Sequence, residues 1–343
     1  MSQDLLVRFK NNKMAVITAC LLMATVVIAL MAYVIIPDQS NNANRQIPQL
    51  ALSAPATTHT ICYQQANTSD QSWWNAMIAG HQDRNLYYPC DSISITDEQS
   101  TIYYQGTEIL QSGMFKVQEI RYLLGSDKYG RDVLSRIILG LRVSLFVGFM
   151  AVLVSLLIGV TIGSISGYYG GWTDQISMII INTSWSIPTL LLAFAIIIAM
   201  GKGFGVIVLA VGLTMWVDIA RLVRGQVKEE RQKAYIAGAK VAGLTDGRII
   251  WRHILPNILG PILVLTASNF ATAILVEAGL SYLGLGIQPP SPSLGNMLKE
   301  NYAYATGGYV YLALSPILMI MILVLNFNLL GTALRDVFDI KTT

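Results

Sequence analysis

The chain has 343 residues, of which 53% are hydrophobic and only 13% charged. Soluble domains carry about 25% charged residues, so the deficit excludes a wholly water-solvated protein and points to lipid as the solvent. A net charge of +3 leaves no electrostatic footprint for nucleic acid, and three cysteines without metal-site spacing exclude a disulfide scaffold and a zinc centre.

Residues 1–13 form a short basic tail with Arg8, Lys10 and Lys13. A spanning helix needs about 20 mostly apolar residues, and the first such stretch is Met14–Ile36. It outruns a signal-peptide core, and no small-residue cleavage site follows before Pro37, so it is read as a retained span. Residues 37–121 are polar, with scattered aromatics from Trp73 to Tyr104, and read as an extracytoplasmic insert. Cys62 and Cys90 both lie there, and an oxidising compartment favours a disulfide over two free thiols. His59 and His81 lack the close spacing to those cysteines that a metal site requires.

Residues 122–141 are expected to form an amphipathic helix in the outer interface, started by Ser126 or Asp127. Val133, Leu134, Ile137, Ile138 and Leu141 would share its apolar face, with Arg131, Ser135, Arg136 and Arg142 mostly off it. It reads as a lever beside an outer gate or as a plain anchor. Further spans are Val143–Ile165, Ile176–Met200, Phe204–Val223, Ile258–Leu280 and Val310–Leu330, giving a five-helix core over 142–334 and a tail over 335–343. Ser155, Gly159, Gly163 and Gly167 recur every four residues, a smooth ridge for close helix contact. Pro188 and Pro316 each remove a helix hydrogen bond and are expected to bend their spans. Asp218 and Arg221 are spaced for an ion pair on one helix face. Glu277 lies near the outer end of the fifth span, where a carboxylate is expensive. It either lines the pathway or latches a gate, or it reaches interfacial water.

The loop 224–257 carries seven Lys and Arg residues from Arg224 to Arg252. Short basic loops stay in the cytoplasm, which puts both termini inside and the insert outside. Ala234–Val241 is a good helix former that Gly243 can end, and Thr245 or Asp246 can start a second helix. Physics alone allows such a loop to be a surface helix held by anionic lipid headgroups.

The loop also has Gly238 and Ala239 upstream of Gly243, with Leu255 and Pro256 following twelve and thirteen residues after it. This pattern resembles the EAA loop of permease subunits of binding-protein-dependent ABC importers. LLGSDKYGRDVLSR (123–136), SGYYGGWTD (166–174) and EAGLSYLGLGIQPPSPSLGNML (277–298) resemble the C-type permease of dipeptide, oligopeptide and nickel importers. The resemblance covers the first span and the chain from about Tyr122 onward, and leaves out 37–115. Two positions depart from the family's pattern: His253 stands where the consensus has isoleucine, and Ala234 replaces the acid that opens the motif, a role Glu229 or Glu230 would have to take.

The resemblance implies an all-α integral membrane protein of six transmembrane helices in the type I ABC importer permease fold, with an extended insert between helices 1 and 2. It implies a homologous second permease subunit, two ABC ATPase subunits, an external substrate-binding protein and a bacterial inner membrane around them. Lys233, Ala234, Tyr235, Ile236, Ala237, Gly238, Ala239, Lys240, Gly243, Leu244, Leu255 and Pro256 would then carry ATPase coupling. The chain has no G-x-x-x-x-G-K-[ST] motif, and Gly201-Lys202-Gly203 lacks both the glycine spacing and the hydroxyl residue, so ATP and Mg belong on the partner ATPases and no cofactor is expected on this chain. Cargo is expected to be di- or oligopeptides, with nickel or another peptide-like solute as the alternative. An ion-coupled secondary transporter would need internal repeats and acids near mid-bilayer. A membrane enzyme would need a cluster of catalytic groups, and the three histidines are split between insert and loop.

Overall fold

The computed structural model describes residues 2–64, 72–83, 85–96, 99–104, 106–112 and 115–338. In chain order the elements begin with α1 (Ser2–Asn11), α2 (Lys13–Leu30) and α3 (Ala32–Ile35). The insert holds β1 (Thr57–Gln64), α4 (Trp73–Ala79), β2 (Leu86–Pro89), β3 (Ser92–Thr96), β4 (Gln99–Tyr104), β5 (Thr107–Ser112) and β6 (Phe115–Tyr122). Then come α5 (Val133–Tyr169), α6 (Gly171–Trp185), α7 (Thr189–Met200), α8 (Phe204–Glu230), α9 (Ala234–Val241) and α10 (Asp246–Ile249). The chain continues with α11 (Leu259–Tyr282), α12 (Leu294–Ala305) and α13 (Val310–Phe338).

Among the described residues, five stretches are long and apolar enough to cross a membrane: Lys13–Leu30, Val133–Tyr169, Phe204–Glu230, Asp246–Tyr282 and Val310–Phe338. The sixth is the pair α6 and α7, which passes the same test jointly but is bent by 91°. The expected single span Ile176–Met200 is therefore broken at Ser186–Pro188. Pro188 supplies no N–H, and the residue before a proline is driven out of the helical region. Pro316, by contrast, sits inside the unbroken α13.

Two compact units divide the chain. One is Met1–Thr25, Ser144–Ile287 and Ile320–Thr343; the other is Val26–Val143 and Gln288–Met319. In the first, the small-residue ridge of α5 lies against α8 as its spacing predicts. Ser155 is fully buried, and a Cβ placed on Gly163 would stand 2.6 Å from the Ala220 carbonyl oxygen. Lipid gives helices no hydrophobic reason to associate, so such close backbone approach is what holds them.

The second unit contains the insert. Its strands form two antiparallel three-stranded sheets, ordered β2-β1-β6 and β3-β4-β5. Cys62 on β1 and Cys90 just after β2 are disulfide-bonded, with Cα atoms 5.9 Å apart and a sequence separation of 28. Closing a loop of that length stabilises the fold by roughly 3–4 kcal/mol in the chain-entropy account. Both half-cystines are buried with Ile102 and Phe115 in one apolar cluster.

The reading of 122–141 as a separate amphipathic helix is corrected. Residues 123–132 are turns and a bridge between Ser126 and Asp132, and α5 begins only at Val133. Asp127 accepts from the backbone N–H of Tyr129 and of Arg131, which competes with helix formation. Nor do the polar residues face water: Arg131, Ser135 and Arg136 are 3%, 0% and 2% exposed. Arg131 pairs with Asp127 at 2.6 Å and Glu300 at 2.7 Å, and Arg136 approaches Asp127 at 4.0 Å. Three residues of opposite and like charge are thus sequestered where periodicity had suggested a wet face.

Candidate functional site

The basic loop is built from the end of α8 to the start of α11. α8 runs seven residues past the expected end of its span at Val223, so Arg224 and Lys228 are helical. Arg224 makes a two-pronged ion pair with Asp174 of α6, at 2.5 and 2.7 Å. Ser166 donates to the same carboxylate at 2.6 Å. The SGYYGGWTD segment therefore clamps α5, α6 and α8 together at this end.

Lys233, in extended backbone, precedes α9. The helix ends as its sequence predicts. Gly243 takes φ +78°, its N–H bonds the Lys240 carbonyl at 3.0 Å, and the Leu244 N–H bonds the Ala239 carbonyl at 3.2 Å. These two bonds satisfy the last carbonyls of the helix in a Schellman motif. Thr245 then precedes α10, whose first residue Asp246 accepts a hydrogen bond from the Tyr168 hydroxyl at 2.6 Å. The cations of Arg231 and Lys240 lie 5.7 and 5.2 Å from the Tyr168 ring centroid. A π-turn over Ile250–Ile254 and a 3₁₀ turn over Leu255–Ile258, with Pro256 in its first turn, lead into α11.

The loop has two faces. Ile236 is buried against Tyr168, Val223, Val227, Ile249, Ile254 and Leu255, with Ala239 and Leu244 packed at the edge. On the other face Lys233, Ala234, Tyr235, Ala237, Gly238, Lys240 and Gly243 are exposed, and Val241 is 91% exposed. The structure thus keeps Ile236 and Leu255 as anchors, packs Ala239 and Leu244 beside them, and presents the remaining predicted coupling residues outward. In place of the absent acid at Ala234, Glu230 is drawn into the loop: it accepts from the Tyr235 hydroxyl at 2.5 Å and pairs with Lys233. The Glu230 partner raises the Lys233 ammonium above its ordinary range. Burial, then Glu230, raises the Tyr235 phenol. Asn257, which sequence reasoning did not single out, donates to the Tyr235 hydroxyl at 3.0 Å and ties the two ends of the loop together.

The intramembrane candidates fare differently. Glu277 is fully buried, accepting from Ser144 at 2.9 Å and Ser281 at 2.7 Å. It bridges α5 and α11 and does not reach interfacial water. Asp218 and Arg221 do not pair. Asp218 is exposed, whereas Arg221 stacks over the Trp185 ring at 4.2 Å and bonds Asn182 at 3.3 Å. The cation goes to the aromatic face because the α6–α7 break presents Trp185 there; a cation over indole is a favourable contact where water is scarce. Asn182 and Trp185 were missed because Pro188 marks a bend without giving its size or the side chains it brings to Arg221.

The model of the family described as "Binding-protein-dependent transport system inner membrane component" matches residues 159–343. A glutathione transport system permease protein of Pectobacterium atrosepticum is 43% identical over 221 residues, 64% of this chain and 72% of that protein. A dipeptide transport system permease protein of Alkalihalophilus pseudofirmus is 42% identical over 217 residues, 63% of this chain and 71% of that protein. A dipeptide transport system permease protein of Lactococcus lactis subsp. cremoris is 29% identical over 340 residues, 98% of this chain and 90% of that protein. That last alignment takes in the insert and corrects the expectation that resemblance leaves out 37–115. A family match over more than half of the chain, on a fold of apolar spanning helices, makes this protein a member of the binding-protein-dependent transport system inner membrane components.

Proposed function

We propose that the chain is one of two membrane-spanning subunits of an ATP-driven importer of di- or oligopeptides. Residues 224–257 are its cytoplasmic coupling loop, docking a separate ATPase that binds ATP and Mg. The observation that carries this reading is the loop itself: a short helix anchored on one side by Ile236 and Tyr168, ended rigidly at Gly243, and exposed on the other side from Lys233 to Gly243. An element built this way transmits force because it is fixed to the membrane helices and open to a partner. The names of the relatives support peptide or glutathione-like cargo.

ATP binding brings the two ATPases together and biases the spans between inward- and outward-facing states, since a ligand shifts only states that it binds differently. An external binding protein delivers the solute to the outward-facing state. Glu277 with Ser144 and Ser281 is a latch between α5 and α11, and Arg221 with Trp185 and Asn182 marks the broken α6–α7 segment as the moving part of the path. Both termini are cytoplasmic. The test is uptake of a labelled dipeptide by cells lacking the chain, complemented by wild type or Gly243→Leu. Wild type is expected to restore uptake and to co-purify with an ATPase. Undiminished uptake and co-purification with the variant, or transport by vesicles lacking any nucleotide-hydrolysing subunit, would overturn the reading.

A further inference from the structure

Within the unit that carries the insert, a cavity of about 310 Å³ lies along β6, lined by residues 118–123 and by Pro37, Asp38, Arg45 and Asp132. That volume is at the lower end of small-ligand sites, about 300–1,000 Å³. Five consecutive strand residues, Gln118 to Tyr122, and the following Leu123 line it. The side chains of one sheet face would alternate, so the cavity follows the edge of the strand. β6 is an edge: it pairs with β1 on one side and is the last strand of its sheet among the described residues. Such an edge offers every second residue's N–H and C=O to an incoming extended chain.

The charges along this edge are uneven. Asp38 is 3% exposed and well served, accepting from the N–H groups of Ser40 at 3.0 Å and Arg45 at 3.1 Å. The Arg45 guanidinium is shared between Asp38 and Asp83, 3.8 and 3.5 Å away, and covers the Tyr87 ring. Asp132 is different. One carboxylate oxygen, Oδ2, caps α5 by accepting the Ser135 N–H at 2.9 Å and the Ser135 hydroxyl. The other, Oδ1, is buried with no hydrogen-bond partner, on a residue only 5% exposed. Burial pushes its carboxyl up against the downward pull of the Ser135 bonds, and the neighbouring Asp38 adds to the push. Asp132 lines the cavity, and a buried acceptor without a partner calls for a cationic donor. A hard metal ion would want about six oxygens, and one free oxygen suits an ammonium group with its three N–H donors.

We propose that this cavity is a binding site for a short peptide, laid along the edge of β6 with its free N-terminal ammonium on Asp132. The preference for a peptide over another amine rests on the cargo reading above; the edge-lined cavity, with Asp38, Glu119 and Asp132 against Arg45 and Arg121, does not. The site would hold solute at the insert before or beside passage through the spans.

The test is equilibrium dialysis of radiolabelled trialanine against the importer complex in lipid nanodiscs, with N-acetyl-trialanine as the neutral comparison. Free trialanine should bind saturably, and acetylation should weaken binding at least tenfold. Asp132→Asn keeps an N-cap acceptor and should abolish that preference while leaving the melting temperature of the complex unchanged. Equal binding of the two peptides, no saturable binding, or a preference that survives Asp132→Asn would each overturn the site. The acetylation comparison uses wild-type protein, so it stands even if the variant misfolds. Dipeptide uptake by cells reports the cargo reading separately. Uptake without amine-dependent binding sinks the cavity alone, and binding without uptake sinks the cargo reading alone.

Discussion

Gly243 separates two effects that a single substitution usually confounds. Its φ of +78° penalises any side chain, by about 1–2 kcal/mol for an L-residue in the left-handed region. Yet a Cβ there would meet nothing within 4 Å. Alanine and leucine therefore suffer the same backbone strain within this chain. Any difference between Gly243→Ala and Gly243→Leu must come from something docked outside it. The two variants should melt within a degree or so of each other, while ATPase co-purification survives alanine and fails with leucine. Equal co-purification would deny the partner. The neighbouring trio Glu230, Lys233 and Tyr235 predicts a pH response. Lys233 and Tyr235 both titrate above their ordinary values of 10.5 and 10.0. Groups raised on folding contribute stability that is fully present below the unfolded value and lost as pH rises through the folded one. Protease resistance of the loop should therefore be flat between about pH 6 and 9 and fall above about pH 10. A fall between about pH 6 and 9 would mean that the trio does not hold the loop.

Among the elements, the packing of α5 on α8 is the contact most directly written in sequence, because a four-residue spacing of small residues is local. It makes a sharp prediction. Gly163→Leu drives a side chain into the Ala220 carbonyl, a backbone atom that cannot swing away, and overpacking of this kind costs about 1–3 kcal/mol. Gly225, on α8 with nothing within 4 Å, is the control. Gly225→Ala should be neutral or gain up to about 1 kcal/mol in helix propensity. Melting in nanodiscs should lower the transition for the first and spare the second; equal behaviour would place the ridge against lipid. The loop's helix and its glycine end were equally legible, since capping depends on residues a few positions apart. The insert was not. β1 pairs with β6 from Thr57↔Tyr122 to Gln64↔Phe115, across more than fifty residues that no local pattern connects, and β1 reads Thr-Thr-His-Thr-Ile-Cys-Tyr-Gln without clean alternation. The turn at 123–132 escaped for a related reason. Its apolar spacing is helical, but Gly125 and Gly130 take φ of +78° and +74° and Asp127 binds the backbone ahead of it. The Arg221 contact depended on the 91° break, whose size Pro188 alone does not set.

For the molecule as a whole, the reading depends on which side of the membrane each polar segment occupies. The proposed order rests on charge: the loop 224–257 concentrates Lys and Arg, and short segments of that kind are retained inside, whereas a long insert translocates largely regardless of its charge. The Cys62–Cys90 disulfide agrees, because such bonds persist outside the reducing cytosol. The disulfide also simplifies the test, since paired cysteines do not react with maleimides. The remaining native thiol, Cys20, lies in the first span and is replaced by alanine. A single cysteine is then placed at Trp74, 65% exposed in the insert, or at Val241, 91% exposed at the end of α9. A membrane-impermeant maleimide applied to intact spheroplasts should label the Trp74→Cys protein and leave Val241→Cys untouched; inside-out vesicles should reverse the pattern. A Val241→Cys protein labelled from outside would put the exposed face of α9 beyond the reach of any cytoplasmic ATPase, and the loop would then be an external feature with no nucleotide-driven partner to move it.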